Sequence, residues 1–355
     1  MISDKKTIGK LEGYAKKRDW KSIAAALESE SDEVRRAAAD ALTELADERA
    51  VSSLIEALMR EGDSMYVRNK IEDALTAIGG PAVAPLIDRL RDKNDRVRIR
   101  AAEALGRIGD ESALAPLIEM LKEKDIKVRS IATEALGSFG SLAREPLEGV
   151  LNDVNVSVRR RAALALGKIG DPAAVPALCE ALKDKDVYVK DNAAIALGQI
   201  AVPSAAECLV DALCDCVWDA TAALVQIGKP AFEPLIRALY DNAVAVRARA
   251  ANALIQIGGD MAVEPLAEAL RDESWGVRKS AVDALLKIDH PSAIEPLKAA
   301  LKDSYWAVRS SAAEALGNIG DESVIDSLKE LLFDLDEIAR TSAQDAIKKL
   351  SETAK

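Results

Sequence analysis

Histidine occurs once in this 355-residue chain, cysteine four times, and Phe, Trp and Tyr together make up only 3% of it. The one histidine, His290, has no second imidazole to pair with, and catalytic or metal sites are built from convergent groups. Neither a phosphate-cradling P-loop, nor a GxSxG elbow, nor a dinucleotide GxGxxG fingerprint is present. With so few aromatics the apolar content falls to Ala, Leu, Val and Ile, which suits closely stacked helices better than one large globule. Positive charge is in deficit, with a net charge of −11. That balance argues against nucleic acid as a partner, because duplex binding rests on phosphate neutralisation. Long apolar runs are missing too. The longest uncharged stretch, residues 192–206, is too short to span a bilayer and is broken by Pro203, so no membrane insertion is expected. The opening MISDKKTIGKLEGY has no apolar leader core. Without an export signal, the few cysteines predict a reducing, cytoplasmic setting and free thiols.

What is present is a repeat, the first thing to test for in a long chain. VRIRAAEALGRIGDESALAPLIEML (97–121), VRRRAALALGKIGDPAAVPALCEAL (158–182) and VRKSAVDALLKIDHPSAIEPLKAAL (277–301) are one sentence rewritten. Its marker position is Arg35, Arg68, Arg98, Arg129, Arg159, Lys190, Val217, Arg247, Arg278, Arg309 and Arg340. The spacing is 30 or 31 residues, except 33 at the second unit and 27 at the seventh. Each unit reads as two helices. In the first, Leu114, Leu117, Ile118 and Leu121 make one apolar stripe, and a proline recurs near the start (Pro85, Pro116, Pro146, Pro234, Pro265, Pro296). In the second, Asp125, Asn155, Asp186 and Ser274 stand at the N-cap. Gly109, Gly140, Gly170, Gly228 and Gly258 stand just past the end. One pair cannot bury its apolar face alone, so the units must stack, with polar ends.

This unit resembles the HEAT repeat, in the short form found in phycobilin lyases. An acid six residues before the marker supports the resemblance: Asp92/Arg98, Asp153/Arg159, Asp241/Arg247, Asp272/Arg278 and Asp303/Arg309, with further copies elsewhere. In that family such residues form a ladder linking successive repeats, a guanidinium holding a carboxylate and loop carbonyls. The resemblance implies an all-α solenoid, a right-handed superhelix of about eleven two-helix repeats. Residues 1–28 are a cap and first helix, 29–200 repeats one to six, 201–227 an irregular repeat seven, 228–350 repeats eight to eleven, and 351–355 a tail. The second helices are expected to line the concave face.

Five residues after the marker, Asp40, Asp73, Glu103 and Glu134 begin the stack and Asp283, Glu314 and Asp345 end it. Leu164, Ile195, Ala222 and Asn252 fill the middle. Nine after the marker come Arg107, Ser138 and Lys168, then Gln199, Gln226 and Gln256. An uncharged floor between acidic ends is expected, with Trp218 beside it. Non-covalent binding of a protein partner, as scaffold or adaptor, follows as the expected function, with neither cofactor nor catalysis. The alternative is a phycobilin-lyase-like chromophore chaperone or another assembly factor. Cys179 and Cys216 align with buried apolar positions, Cys208 with the recurrent proline and Cys214 with an exposed lysine, so idle thiols are expected. Trp275 and Trp306 fall at the first turn of adjacent second helices and are assigned to packing, with a two-tryptophan platform as the other reading.

Overall fold

A computed structural model describes residues 2–215, 218–257, 259–288 and 290–353. The described residues form helices and turns, with no strand among them, and the chain is an all-α solenoid. Eleven second helices recur: α1 (Asp32–Leu45), α2 (Met65–Ile78), α3 (Asp95–Ile108), α4 (Ile126–Ser138), α5 (Val156–Ile169), α6 (Val187–Ile200), α7 (Trp218–Ile227), α8 (Val244–Ile257), α9 (Trp275–Ile288), α10 (Trp306–Ile319) and α11 (Glu337–Thr353). A shorter first helix precedes each, and Ile2–Lys16 precedes the first pair. The chain divides into two compact units, Met1–Ala177 and Leu178–Lys355. Within each, successive second helices pack side by side and each first helix packs on its own partner.

Local chemistry sets the boundaries. The Asp125 carboxylate accepts from Lys127 N at 2.8 Å and Val128 N at 3.0 Å, and Asn155 accepts from Ser157 N at 2.9 Å. These bonds satisfy donors that a helix start leaves free. At the other end Gly109 and Gly170 both take φ +72°, the left-handed turn that stops the helix. Ala201 takes the same region without a glycine, at φ 52°, where the irregular repeat begins. Gly258, Cys216 and Val217 lie outside the described residues. The first helices are short because a 3-10 turn takes up their start, as at Glu111–Ala113 ahead of Leu114–Glu119.

The core is a column of small aliphatics. Leu86, Leu117, Leu147, Leu209 and Leu266 on first helices are fully buried, as are Leu105, Leu136, Leu197 and Leu285 on second helices. Each buried leucine contributes about 1.5–3 kcal/mol against exposure. The valine just before the marker is buried too, as Val128, Val189 and Val277 show. Two residues earlier the helix presents the opposite side, about 200° around. There Met65 is 61% exposed, Ile126 62%, Val187 45% and Trp275 47%. The position assigned to packing is thus an exposed edge along much of the stack. Trp275 stacks on Tyr305 at 4.3 Å between centroids and stays open on its other face, while Trp306 is half-buried.

Candidate functional site

The ladder is built, in a register different from the pairs read in the sequence. Arg278 Nη1 donates to the Asp272 carbonyl at 2.8 Å and the Glu273 carbonyl at 3.0 Å. Its Nε and Nη2 reach across the seam to the Asp303 carboxylate at 2.6 and 2.9 Å. Arg247 treats the Asp241 carbonyl and the Asp272 carboxylate the same way, and Arg309 the Asp303 carbonyl and the Asp334 carboxylate. So the acid six residues before an arginine gives that arginine only its backbone carbonyl. Its carboxylate belongs to the arginine of the preceding repeat. Arg98 and Arg159 likewise take the carbonyls of Asp92 and Asp153, at 2.8 and 2.9 Å. The Arg98 guanidinium meets Asp95 at 2.6 Å and Glu123 at 3.4 Å, so Asp92/Arg98 is not an ion pair.

Repeat seven, with Val217 at the marker, offers Asp241 no guanidinium. Past the first helix of that repeat, Arg249 on α8 donates back to the Leu213 carbonyl. Arg100 on α3 does the equivalent with the Leu58 and Arg60 carbonyls, at 2.8 and 2.7 Å.

A cleft in the first unit, across α1 to α4, has a volume of about 930 Å³. Asp40, Asp73, Glu103 and Glu134 line it, the acidic positions read five after the marker, together with Arg107 and Ser138 from nine after. Reasoning from sequence missed other parts of the wall, among them Arg36, Asn69, Lys70 and Glu72 and the apolar Met65, Tyr66 and Ile131. Many of these charges answer one another. Lys70 meets Asp40 at 2.9 Å and Asp73 at 3.8 Å, and Arg107 meets Glu72 at 2.8 Å and also bonds Asp73. The bond to Asp40 raises the Lys70 ammonium above its ordinary range. Burial works against the Arg107 charge, but its bonds to Glu72 and Asp73 outweigh that and raise it too.

Glu103 is different. Among the described residues it makes no ion pair, and the cleft walls crowd it although its tip reaches water. That desolvation, with the Glu72 carboxylate second, pushes its carboxyl above the usual range. The folded protein therefore holds the Glu103 proton more tightly than the unfolded chain. This contribution to stability is complete below the unfolded pKa and is lost as pH rises through the raised folded value. Glu103→Gln is expected to flatten that part of the stability–pH curve and to stabilise the protein slightly at neutral pH, a few tenths of a kcal/mol after solvent screening. Urea midpoints measured between pH 4 and 8 check both.

The predicted central floor falls in both units. Leu164 on α5 belongs to the first; Ile195, Gln199, Ala222, Gln226, Asn252 and Gln256 on α6 to α8 belong to the second. Leu164 and Ile195 are each half-buried, while the amides and Ala222 are exposed. Trp218 opens α7, but its side chain lies outside the described residues. His290 caps the turn Pro291–Ala293, its Nδ1 accepting from Ser292 N at 3.2 Å. Asp110 and Asp171 do this in sister repeats, each at 3.0 Å. Cys214 is exposed. Cys179 and Cys208, expected as idle thiols, instead form a disulfide between adjacent first helices. Among the described residues no three His, Cys, Asp or Glu side chains converge to hold a metal ion. No described helix is long and apolar enough to cross a membrane.

The chain belongs to the HEAT-repeat family: the model of HEAT repeats matches residues 21–96, 83–154, 143–227, 218–285 and 263–348. No curated protein matches by sequence. Among solved structures, Kap121p is similar with a TM-score of 0.57 at 15% identity, over 94% of this chain and 45% of that one. Kap121p bound to Nup53p gives 0.59 at 15% identity, over 95% and 46%. A structure of Kap95p binding RanGDP gives 0.51 at 14% identity, over 100% and 59%. The chain thus spans about half the length of these solenoids. At these identities the likeness is one of fold.

Proposed function

We propose that this chain works by non-covalent binding of a protein partner on the face formed by its second helices, as a scaffold or assembly factor rather than as an enzyme. The cleft across α1 to α4 carries this reading. Its walls are mostly charged and polar, Lys70 and Arg107 are engaged with carboxylates, and Glu103 stands in it without an ion pair among the described residues. A partner segment presenting Lys or Arg supplies what that carboxylate lacks. Solenoids of similar fold hold protein ligands, as Kap121p holds Nup53p. In the second unit the half-exposed Ile195, with the exposed Gln199, Ala222, Gln226, Asn252 and Gln256, is proposed as a further binding surface, and in the first unit the half-exposed Leu164.

Co-purification from the native source followed by mass spectrometry tests this. Glu103→Lys with Glu134→Lys is expected to cut partner recovery at least tenfold with unchanged helicity, and Glu233→Lys on a first helix is expected to leave it alone. Equal recovery in all three rejects the cleft. Leu164→Asp and Ile195→Asp, made separately, test the two further positions: unchanged recovery removes that residue from the proposed surface.

A further inference from the structure

We propose that Cys179 and Cys208 form a reversible disulfide clamp across the seam between repeats six and seven, made and broken by exchange with small-molecule thiols and disulfides. Cys179 sits on the first helix Val175–Ala181 and Cys208 on the first helix Ala206–Ala212. Their Cα atoms are 5.7 Å apart, inside the range a disulfide needs without moving the backbone. Each sits one residue from a buried leucine, Cys179 after Leu178 and Cys208 before Leu209, so the packing that joins these helices also brings the sulfurs together. Both cysteines are half-buried, so a small reagent reaches them.

The position gives the bond a task. Elsewhere in the second unit a guanidinium bridges each seam with two bonds to one carboxylate. In repeats six and seven the marker residues are Lys190 and Val217. A lysine has no planar fork to match a carboxylate, and a valine has no charge. The covalent link therefore stands at the seam whose marker is a lysine and not an arginine, next to the seam where Val217 brings no charge. It closes a 29-residue separation, which restricts the unfolded chain appreciably.

The chemistry balances as two exchanges. The thiolate of one cysteine attacks a low-molecular-weight disulfide RS–SR, forming a mixed disulfide and releasing one RS⁻. The second thiolate then attacks the protein-side sulfur and expels the other RS⁻. The two protein thiols give up two protons and two electrons, and RS–SR, reduced to two RSH, accepts both. Cys214 is exposed and lies six residues past Cys208, beyond the end of the helix Ala206–Ala212. It serves as an internal control.

The test uses the full chain in buffers of oxidised and reduced glutathione, with trapped thiols mapped by peptide mass spectrometry and amide hydrogen exchange followed alongside. In oxidised buffer a Cys179–Cys208 linked peptide is expected; in reduced buffer both thiols alkylate. Reduction should speed exchange tenfold or more in residues 175–181 and 206–212, and lower the melting temperature on the order of 5–10 °C. Cys208→Ser and Cys179→Ser should behave as the reduced protein in both buffers, and Cys214→Ser should switch like wild type. The proposal is overturned by no 179–208 link in oxidised buffer, by a link that survives excess reductant, or by a link that comes and goes without changing exchange in those two helices.

Discussion

Arg278→Ala is expected to destabilise the second unit by about 3–5 kcal/mol, the range for removing one partner of a buried ion pair. The substitution deletes two donors to the Asp303 carboxylate and two to the Asp272 and Glu273 carbonyls. The side chains of Arg278 and Asp303 are only 11% and 9% exposed, so water does not replace what is lost. Asp303 keeps the Tyr305 N–H at 2.8 Å and little else. Arg278→Lys keeps the charge but not the fork, and should cost about half as much. Replacing both partners together by apolar residues should cost less than Arg278→Ala alone, because no uncompensated charge is left behind. Urea unfolding of the single and double variants gives the coupling directly. A loss under about 1 kcal/mol for Arg278→Ala would place the pair with ordinary surface ion pairs and dissolve the ladder as a source of stability.

The same pair sets a pH dependence. Burial pushes the Asp303 carboxyl up, but the Arg278 donors and the Tyr305 N–H outweigh it and hold the group below its ordinary range. Asp334 is held low chiefly by Arg309. Carboxyls held low in the fold contribute stability above their unfolded pKa, and that stability is lost as pH falls through the folded value. Wild type should therefore lose stability below the ordinary carboxylate range, and Arg278→Ala should lose less of it there.

The register of this ladder shows where sequence reading stops. In a 31-residue period, six before one marker and 25 after the previous marker are the same position, as Asp303 is to Arg309 and Arg278. Periodicity therefore names the carboxylate and both arginines without saying which arginine it takes. Only the stacking of helices decides. The helix pairs, their caps and their leucines were legible because each rests on a short local pattern. The acidic wall of the cleft was legible as a row of residues five after the marker, but not as a cleft. Its volume depends on how α1 to α4 are spaced, and the cations between the acids sit at other positions in the unit. The exposed edge at Ile126, Val187 and Trp275 was misassigned because an apolar residue two positions before a buried valine reads as core unless the roughly 200° between them is counted. For the cysteines the signal was present: 29 residues is close to one period, which sets Cys179 and Cys208 on adjacent first helices. The expectation of a reducing compartment hid it.

Gly106→Ala should destabilise the first unit by up to about 2 kcal/mol, although alanine is the better helix former. A Cβ at Gly106 would lie 2.8 Å from Ala135 Cα and 2.9 Å from Ala135 Cβ. Both distances fall well inside the roughly 3.5–4.0 Å of carbon contact. The obstacle is backbone, which cannot rotate away, so α3 and α4 must part. Overpacking of this kind costs about 1–3 kcal/mol, against about 1 kcal/mol gained in helix propensity. Gly137 is one repeat later in the same register and gives the opposite sign. A Cβ there meets only Lys168, at 3.4 Å to Cβ and 3.6 Å to Cδ, and a lysine stem yields. Gly137→Ala should therefore stabilise by about 0.5–1 kcal/mol. Thermal melts of the two variants decide the sign at each glycine. The contrast bears on function, because Gly106 and Ala135 both line the cleft. Parting α3 from α4 moves Glu103 and Arg107 away from Glu134 and Ser138, whereas Gly137→Ala leaves that wall in place. Partner recovery should accordingly fall with Gly106→Ala and hold with Gly137→Ala. If both variants bind equally while only the first is destabilised, the spacing of α3 and α4 serves the stack and not the partner.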